Sequence, residues 1–252
     1  MKRLVYNKLM ESISRGGKCH WVLLDPDDYS LDEAACVAKE SQDCGVNAIL
    51  VGGSLLYTNH FDKFVQTLKK SVNLPVILFP GDATQLSASA DALLYLSLVS
   101  GRNPANLIGE HVKAAPLIRE CGIEPVPTAY MLVESGSVSS VEFISNTRPL
   151  PRNKPQIAAA HALAAQYMGM SLVYLEAGSG ASQTVPEEMI KMVKEYVDIP
   201  VIVGGGIRDS HTAEKKLAAG ADIIVTGNAL KKKDGIQIMK EIASKVNSFR
   251  AP

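Results

Sequence analysis

The sequence predicts one (β/α)8 barrel with a modified third helical connection. Three observations predict it. Short apolar runs recur eight times along the chain, and they are continuously apolar rather than alternating. Continuous apolarity marks parallel strands covered on both faces. Helical segments separate most of these runs, and right-handed crossovers close such units into a barrel. Finally, the glycine-rich segments follow the sixth, seventh and eighth runs. An open doubly wound sheet would have fewer strands and a phosphate signature after its first.

The N-terminal stretch 1–18 reads as a helical extension, and the first strand is HWVLLD at 20–25. The helix that follows starts at Ser30, with Glu33 three residues on forming a capping box, and ends at Gly45. Strand two is VNAILVGG at 46–53, and strand three is LPVILFPG at 74–81. The next connection, DATQLSASA, is too short for a full helix. Strand four is DALLYLSLVSG at 91–101, followed by a helix opening at Pro104 and closing at Gly122. Strand five is IEPVPTAYML at 123–132. The stretch 133–155, rich in Ser, Pro and Arg, reads as a loop or lid before the fifth helix. Strand six is SLVYLEAG at 171–178, with a helix after Pro186. Strand seven is IPVIVGGG at 199–206, with a helix from an Asp209 cap to Gly220, and strand eight is ADIIVTGN at 221–228. No linker composition or charge block divides residues 1–252, so one barrel domain is expected.

Composition narrows the function classes. The 252 residues are 46% hydrophobic and 21% charged, with a formal net charge of zero. That balance gives no electrostatic case for nucleic acid as partner. Cys19, Cys36, Cys44 and Cys121 are scattered and form no CxxC pair or zinc-like cluster. Reduced thiols in a cytoplasmic protein fit that usage, with Cys36 and Cys44 read as packing residues on or just after one helix. The N-terminus lacks the apolar core and cleavage site of a signal peptide. No apolar run approaches the roughly 18 residues that span a bilayer. Lys231, Lys232 and Lys233 form a short basic run that reads as a solvated helix start or a contact to an anionic membrane surface.

Barrel enzymes work at the C-terminal ends of their strands. There the sequence gathers DPDD, GGS, EAGSG, GGG and TGN. The segments GGGI at 204–207 and TGNAL at 226–230 read as a phosphate cradle, where glycine lets main-chain N–H groups and helix starts approach an anion. Tight turns alone are the plainer explanation for one such segment. No GxGxxG follows the first strand, so the ligand is a compact phosphate ester rather than a dinucleotide. Asp25 and Ser54, at the ends of strands one and two, offer hard oxygens that suit Mg2+ and not zinc. A turn-forming role for Asp25 remains open, and Asp27 and Asp28 read as turn and capping residues. Glu176 then faces the gap between the two anion sites, placed to hold a substrate hydroxyl and take its proton. Strand parity puts Tyr174 on the same side as Glu176, either on the ligand or in the barrel packing.

The ordered set LLDPDD, LVGGS, YLEAGSG, VGGGI and VTGNAL resembles the geranylgeranylglyceryl phosphate synthase family. DALLYLSLVSGRNP looks like its fourth strand and turn, and the YLEAGSG form like the second of its two sequence groups. The resemblance implies a TIM-barrel prenyltransferase that joins a prenyl diphosphate, with geranylgeranyl expected, to the 3-hydroxyl of sn-glycerol 1-phosphate. It implies Mg2+ at Asp25 and Ser54, with Glu176 as base. Tyr174, Leu175, Glu176, Ala177, Gly178, Ser179, Gly180, Gly205, Gly206, Gly227 and Asn228 would bind glycerol 1-phosphate. Phe79, Tyr95, Tyr130 and the 133–155 stretch would line a trench for the prenyl tail. Some relatives carry a basic residue two positions before the metal Asp, where this chain has Leu23. A homo-oligomer is expected.

Two other readings compete. An isomerase of phosphosugars could use Asp25 and Glu176 as paired groups, whereas an aldolase lacks its Schiff-base Lys at every strand end. A non-catalytic barrel would bind a phosphorylated metabolite without turnover. The joint presence of Asp25, Ser54 and Glu176 weighs against it.

Overall fold

The computed structural model describes residues 3–228 and 234–250, so the Lys231–Lys233 run lies outside the described residues. Eight strands form in the predicted order: β1 (Cys19–Leu24), β2 (Ala48–Val51), β3 (Val76–Leu78), β4 (Ala92–Leu98), β5 (Glu124–Leu132), β6 (Leu172–Glu176), β7 (Val201–Gly204) and β8 (Ile223–Thr226). Each pairs in parallel with the next. β1 returns to β8 with Trp21 opposite Val225, closing the barrel.

Strand parity sorts the core into two layers. Trp21, Leu50, Leu94, Tyr174, Ile202 and Val225 pack inside the barrel. Val22, Leu24, Ile49, Val51 and Leu78 face the helices on one side, and Val173, Leu175, Val201 and Val203 do so on the other. Both faces of each strand are therefore apolar, which is why the runs read as continuous.

The helices are α1 (Leu4–Ser14), α2 (Leu31–Asp43), α3 (Phe61–Ser71), α4 (Glu110–Cys121), α5 (Ser140–Ser145), α6 (Pro155–Tyr167), α7 (Glu187–Tyr196), α8 (Ser210–Ala218) and α9 (Gly235–Ser248). Ser30 and Glu33 make the capping box at α2. A π-helical turn, Ala105–Gly109, leads from Pro104 into α4, which ends on left-handed Gly122. Asp209 caps α8 by accepting from Thr212 N. No helix lies between β3 and β4, so the third connection is modified as the sequence predicts.

α1 closes the bottom of the barrel. Arg3, at its start, supplies no side-chain cap. Instead the buried Glu124 accepts from Val5 N at 2.8 Å and Tyr6 N at 3.0 Å. Val5, Tyr6, Leu9 and Ile13 then pack against the interior layer.

Two readings are refined. The 133–155 stretch is more than a loop, because α5 forms inside it behind a Ser139 cap. Its far end returns to β5, where Leu150 N donates to Leu132 O at 2.8 Å and Glu134 N to Leu150 O at 2.9 Å. Cys36 is exposed on α2, so it is not a packing residue; Cys44 does pack against the core.

One buried carboxylate at the bottom of the barrel is densely paired. Asp222 is buried and accepts from Lys18 Nζ at 2.9 Å, Lys194 Nζ at 2.7 Å and Val201 N at 2.9 Å. It ties the entry of β1, the helix α7 and β7 into one knot. Asp222→Ala leaves two lysines and a buried N–H without their acceptor. We expect a loss of about 3 kcal/mol in urea unfolding, with ligand binding at the opposite end unchanged.

Candidate functional site

The sequence-predicted residues meet in one cavity at the C-terminal ends of the strands. Asp25 and Ser54 form one wall; Tyr174, Glu176, Ser179, Gly180, Gly205, Gly206, Gly227 and Asn228 form the other. Leu175 and Ala177 do not join them. Both side chains are buried on the outer face of β6 among residues of α6, α7 and α8. Alternate strand positions point to opposite faces, so a contiguous motif cannot place every side chain in the cavity. Gly178 also stays off the wall and acts through its main chain, donating its N–H to Glu176 Oε1 at 2.7 Å.

Glu176 dominates the electrostatics. It ends β6 and is only 6% exposed, with no cation paired to it among the described residues. Burial pushes its carboxyl up to about 7, while the N–H groups of Gly178 and Ala177 and the Tyr174 hydroxyl pull the other way. The Tyr174 hydroxyl is buried beside that carboxylate without a hydrogen bond of ordinary geometry. Burial, with the Glu176 charge behind it, raises the phenols of Tyr174 and Tyr130 well above the usual tyrosine range. Both therefore stay protonated. A carboxyl with its midpoint near neutrality is well matched to accept and return a proton.

The glycines after β7 exist largely to make room for this carboxylate. A Cβ on Gly204 would lie 2.6 Å from Tyr174 Oη and 2.8 Å from Glu176 Oε2. One on Gly205 would overlap Glu176 Oε1 and come within 2.8 Å of the Ala177 and Gly178 nitrogens. Gly206 and Gly180, with left-handed φ of +74° and +72°, shape the cradle wall beside Asn228. The start of α8 lies further on, at Ser210, with Asp209 already occupying the Thr212 N–H. The residues that follow Asn228, 229–233, lie outside the described part of the chain.

Sequence reasoning missed Arg208, which also lines the cavity. Its guanidinium donates to Gly180 O at 3.1 Å and Ala181 O at 2.8 Å, tying the loop after β7 to the loop after β6. It is the residue immediately after VGGGI, and that adjacency was the available signal.

The Asp25 wall is built from loop contacts. Asp25 Oδ1 accepts from Asp27 N at 3.1 Å. Asp27 is more than a turn former, because its carboxylate accepts from Tyr57 N at 2.8 Å and Thr58 N at 2.9 Å. It therefore holds the loop after β2 against the loop after β1. Gly53 lies against Asp25, since a Cβ there would sit 2.7 Å from Oδ2. Among the described residues no three His, Cys, Asp or Glu side chains gather as a metal cluster. A carboxylate and a hydroxyl on one wall still match the sparse oxygen set of Mg2+, which keeps waters and takes other ligands from phosphate. Leu23 lines the same cavity and brings no charge to it.

A second cavity opens from the first. Phe79, Tyr95 and Tyr130 line it, as sequence predicts, together with Leu86, Leu93, Leu94 and Ala114. Gly53, Ser54, Phe79, Tyr130 and Val141 belong to both cavities. Phe79 and Tyr130 meet edge to face with centroids 5.8 Å apart, and each also contacts the Tyr174 ring at 5.4 Å. Tyr95 lies on the outer face of β4, its hydroxyl donating to His111 O at 2.7 Å. The apolar space thus runs from the barrel mouth over β3 and β4 to α4, through the place where the third helix is missing.

The PcrB family matches residues 12–246. A geranylgeranylglyceryl phosphate synthase of Thermococcus gammatolerans is 46% identical over 249 residues, covering 98% of this chain and 96% of its own. One of Chitinophaga pinensis is 44% identical over 248 residues, with 98% of each chain covered. A crystal structure of (S)-3-O-geranylgeranylglyceryl phosphate synthase from Thermoplasma acidophilum, in complex with sn-glycerol-1-phosphate, superposes with a TM-score of 0.93 at 35% identity. It covers 98% of this chain and all of its own.

The raised Glu176 carboxyl makes stability depend on pH. An acid whose folded value exceeds its unfolded one holds its proton more tightly in the folded state. It costs stability as pH climbs past 4.5, and the full cost is reached above about 7. Glu176→Gln removes that cost. Urea titrations across this range should find the variant more stable than wild type above pH 7 by about 3 kcal/mol. The difference should vanish below pH 4.5, where the side chain is neutral in both states.

Proposed function

The chain belongs to the PcrB family, and on that premise we propose that it is a prenyltransferase. It joins a prenyl diphosphate, geranylgeranyl diphosphate first among them, to the 3-hydroxyl of sn-glycerol 1-phosphate and releases diphosphate. The observation that carries this reading is the junction of a polar cavity holding Glu176 with an apolar one, along Ser54, Phe79 and Tyr130. A phosphosugar isomerase has no use for the apolar arm. The relatives named geranylgeranylglyceryl phosphate synthase support the same reading.

In this proposal the phosphate of glycerol 1-phosphate lies against Ser179, Gly180, Gly205, Gly206, Gly227 and Asn228. Main-chain N–H groups meet its charge there. That placement turns the glycerol hydroxyls toward Glu176 and Tyr174. Glu176 accepts the proton of the 3-hydroxyl as its oxygen attacks C1 of the prenyl group and the C1–O bond to diphosphate breaks. Tyr174, protonated at neutral pH, donates toward the glycerol or the carboxylate. The apolar arm lined by Phe79, Tyr95 and Tyr130 holds the prenyl chain and excludes water from the allylic carbon. Asp25 and Ser54 would hold Mg2+, which when bound supplies positive charge against the leaving diphosphate. Fixing both partners in register contributes much of the acceleration.

Two further partner proposals accompany this one. Ile108 on the π-helical turn, Val112 at the start of α4, and Val138 and Phe143 around α5 are all exposed. The two regions adjoin, since Asn103 Nδ2 donates to Ser145 O at 2.7 Å. This apolar surface supports a homo-oligomer, to be read by light scattering after gel filtration. Among the described residues no helix is long and apolar enough to cross a membrane, so we place the enzyme in the cytoplasm with at most peripheral contact to a bilayer. Vesicle sedimentation tests that contact.

The deciding assay supplies labelled sn-glycerol 1-phosphate, Mg2+ and prenyl diphosphates of several lengths, with glycerol 3-phosphate as the stereochemical control. Ether product from the 1-phosphate alone is expected; turnover of phosphosugars without prenyl transfer would overturn the reading. Glu176→Gln should lower kcat by about 10^2- to 10^4-fold while leaving both KM values within a few-fold. Asp25→Asn should instead raise the prenyl diphosphate KM, and omission of Mg2+ should abolish turnover.

A further inference from the structure

The third connection carries a side chain that the proposed reaction leaves without a role. Gln85 is only 1% exposed, although it sits in an irregular stretch between β3 and β4. Its amide spends both functions on one distant residue. Nε2 donates to Gly53 O at 2.9 Å, and Oε1 accepts from Gly53 N at 3.3 Å. Gly81 lets the chain approach this loop closely: a Cβ there would lie 2.5 Å from Gly53 O, 2.9 Å from Ser54 O and 3.0 Å from Gln85 Nε2.

A side-chain amide bonded to both polar groups of one residue fixes the peptide planes on either side of it. The plane after Gly53 leads directly into Ser54. The plane before it sets Gly53 against the Asp25 carboxylate. Gly53 is half-buried, and leaving its N–H and C=O without these partners costs free energy, so the loop keeps this shape while Gln85 is present.

We propose that Gln85 is a positioning residue, holding the Asp25–Ser54 wall in the shape that binds a divalent cation with diphosphate. The inference rests on the reading of that wall given above. Its test needs no prenyl transfer. Mn2+ binding in the presence of inorganic diphosphate is followed by loss of the free-ion electron paramagnetic resonance signal, and sn-glycerol 1-phosphate binding by calorimetry. Gln85→Met keeps the volume and removes both hydrogen bonds. We expect it to weaken Mn2+–diphosphate binding by about 10- to 100-fold, the usual effect of losing a supporting residue. Affinity for sn-glycerol 1-phosphate should stay within about twofold, because that ligand is assigned to the other wall; a purely structural defect would lower both affinities. Gly81→Ala, whose Cβ would press on Gly53 O and come within 3.0 Å of Gln85 Nε2, should show the same selective loss, and it decides the matter if Gln85→Met does not fold. Equal Mn2+–diphosphate affinity in variant and wild type, or parallel loss of both ligands, overturns the proposal. Wild type that binds no Mn2+–diphosphate at all refutes the metal reading itself, even if the barrel still binds sn-glycerol 1-phosphate.

Discussion

Burial of the Glu176 carboxylate, with no cation paired to it among the described residues, is the constraint around which the mouth of this barrel is built. A buried carboxylate must find hydrogen bonds or take up a proton. Glu176 does part of each: it accepts from Gly178 N, and its carboxyl titrates near neutrality. Both features demand space that side chains would fill. Gly204 and Gly205 are bare because Tyr174 and Glu176 lie against them. A stretch that reads as a phosphate loop is therefore first an accommodation for an acid, and the N–H groups it frees for an anion follow from the same lack of Cβ atoms.

A second feature of the mouth lies where a helix is missing. In a regular barrel each crossover helix covers two strands from outside. Here the chain from Phe79 to Asp91 stays irregular, and the space it leaves joins the barrel mouth to the face of α4. The apolar cavity is thus the outer layer of the barrel opened at one sector. The segment around Val141 and Ile144 roofs it, and bonds from Asn103 Nδ2 to Ser145 O and from Leu150 N to Leu132 O tie that segment to the barrel.

The architecture was legible in the sequence because every strand is apolar on both faces, so no strand had to be inferred from alternation. Glu176 and Tyr174 were legible by parity on β6. The same parity argument excludes Leu175 and Ala177, and a motif carried over as a contiguous block hides that exclusion. Gln85 and Arg208 were not legible, for a shared reason. Each acts on the main chain of a loop roughly 30 positions away, through bonds that no local pattern records. α5 escaped notice because six residues in a serine-rich stretch carry too little periodicity to stand out.

The two ends of the barrel treat charge in opposite ways. At the bottom, Asp222 answers two lysines and a main-chain N–H, and Glu124 caps a helix. These groups hold the chain together and have no capacity left for a ligand. At the mouth, Glu176 faces main-chain N–H groups and the Tyr174 hydroxyl among the described residues, and Tyr174 Oη is buried without an ordinary bond. Pairing Glu176 with a lysine would hold the carboxyl ionised and take away its raised proton affinity. The incomplete pairing at one end is tolerable because the other end is knotted so fully. The densely paired carboxylates and the sparsely bonded Glu176 lie at opposite ends of the same eight strands.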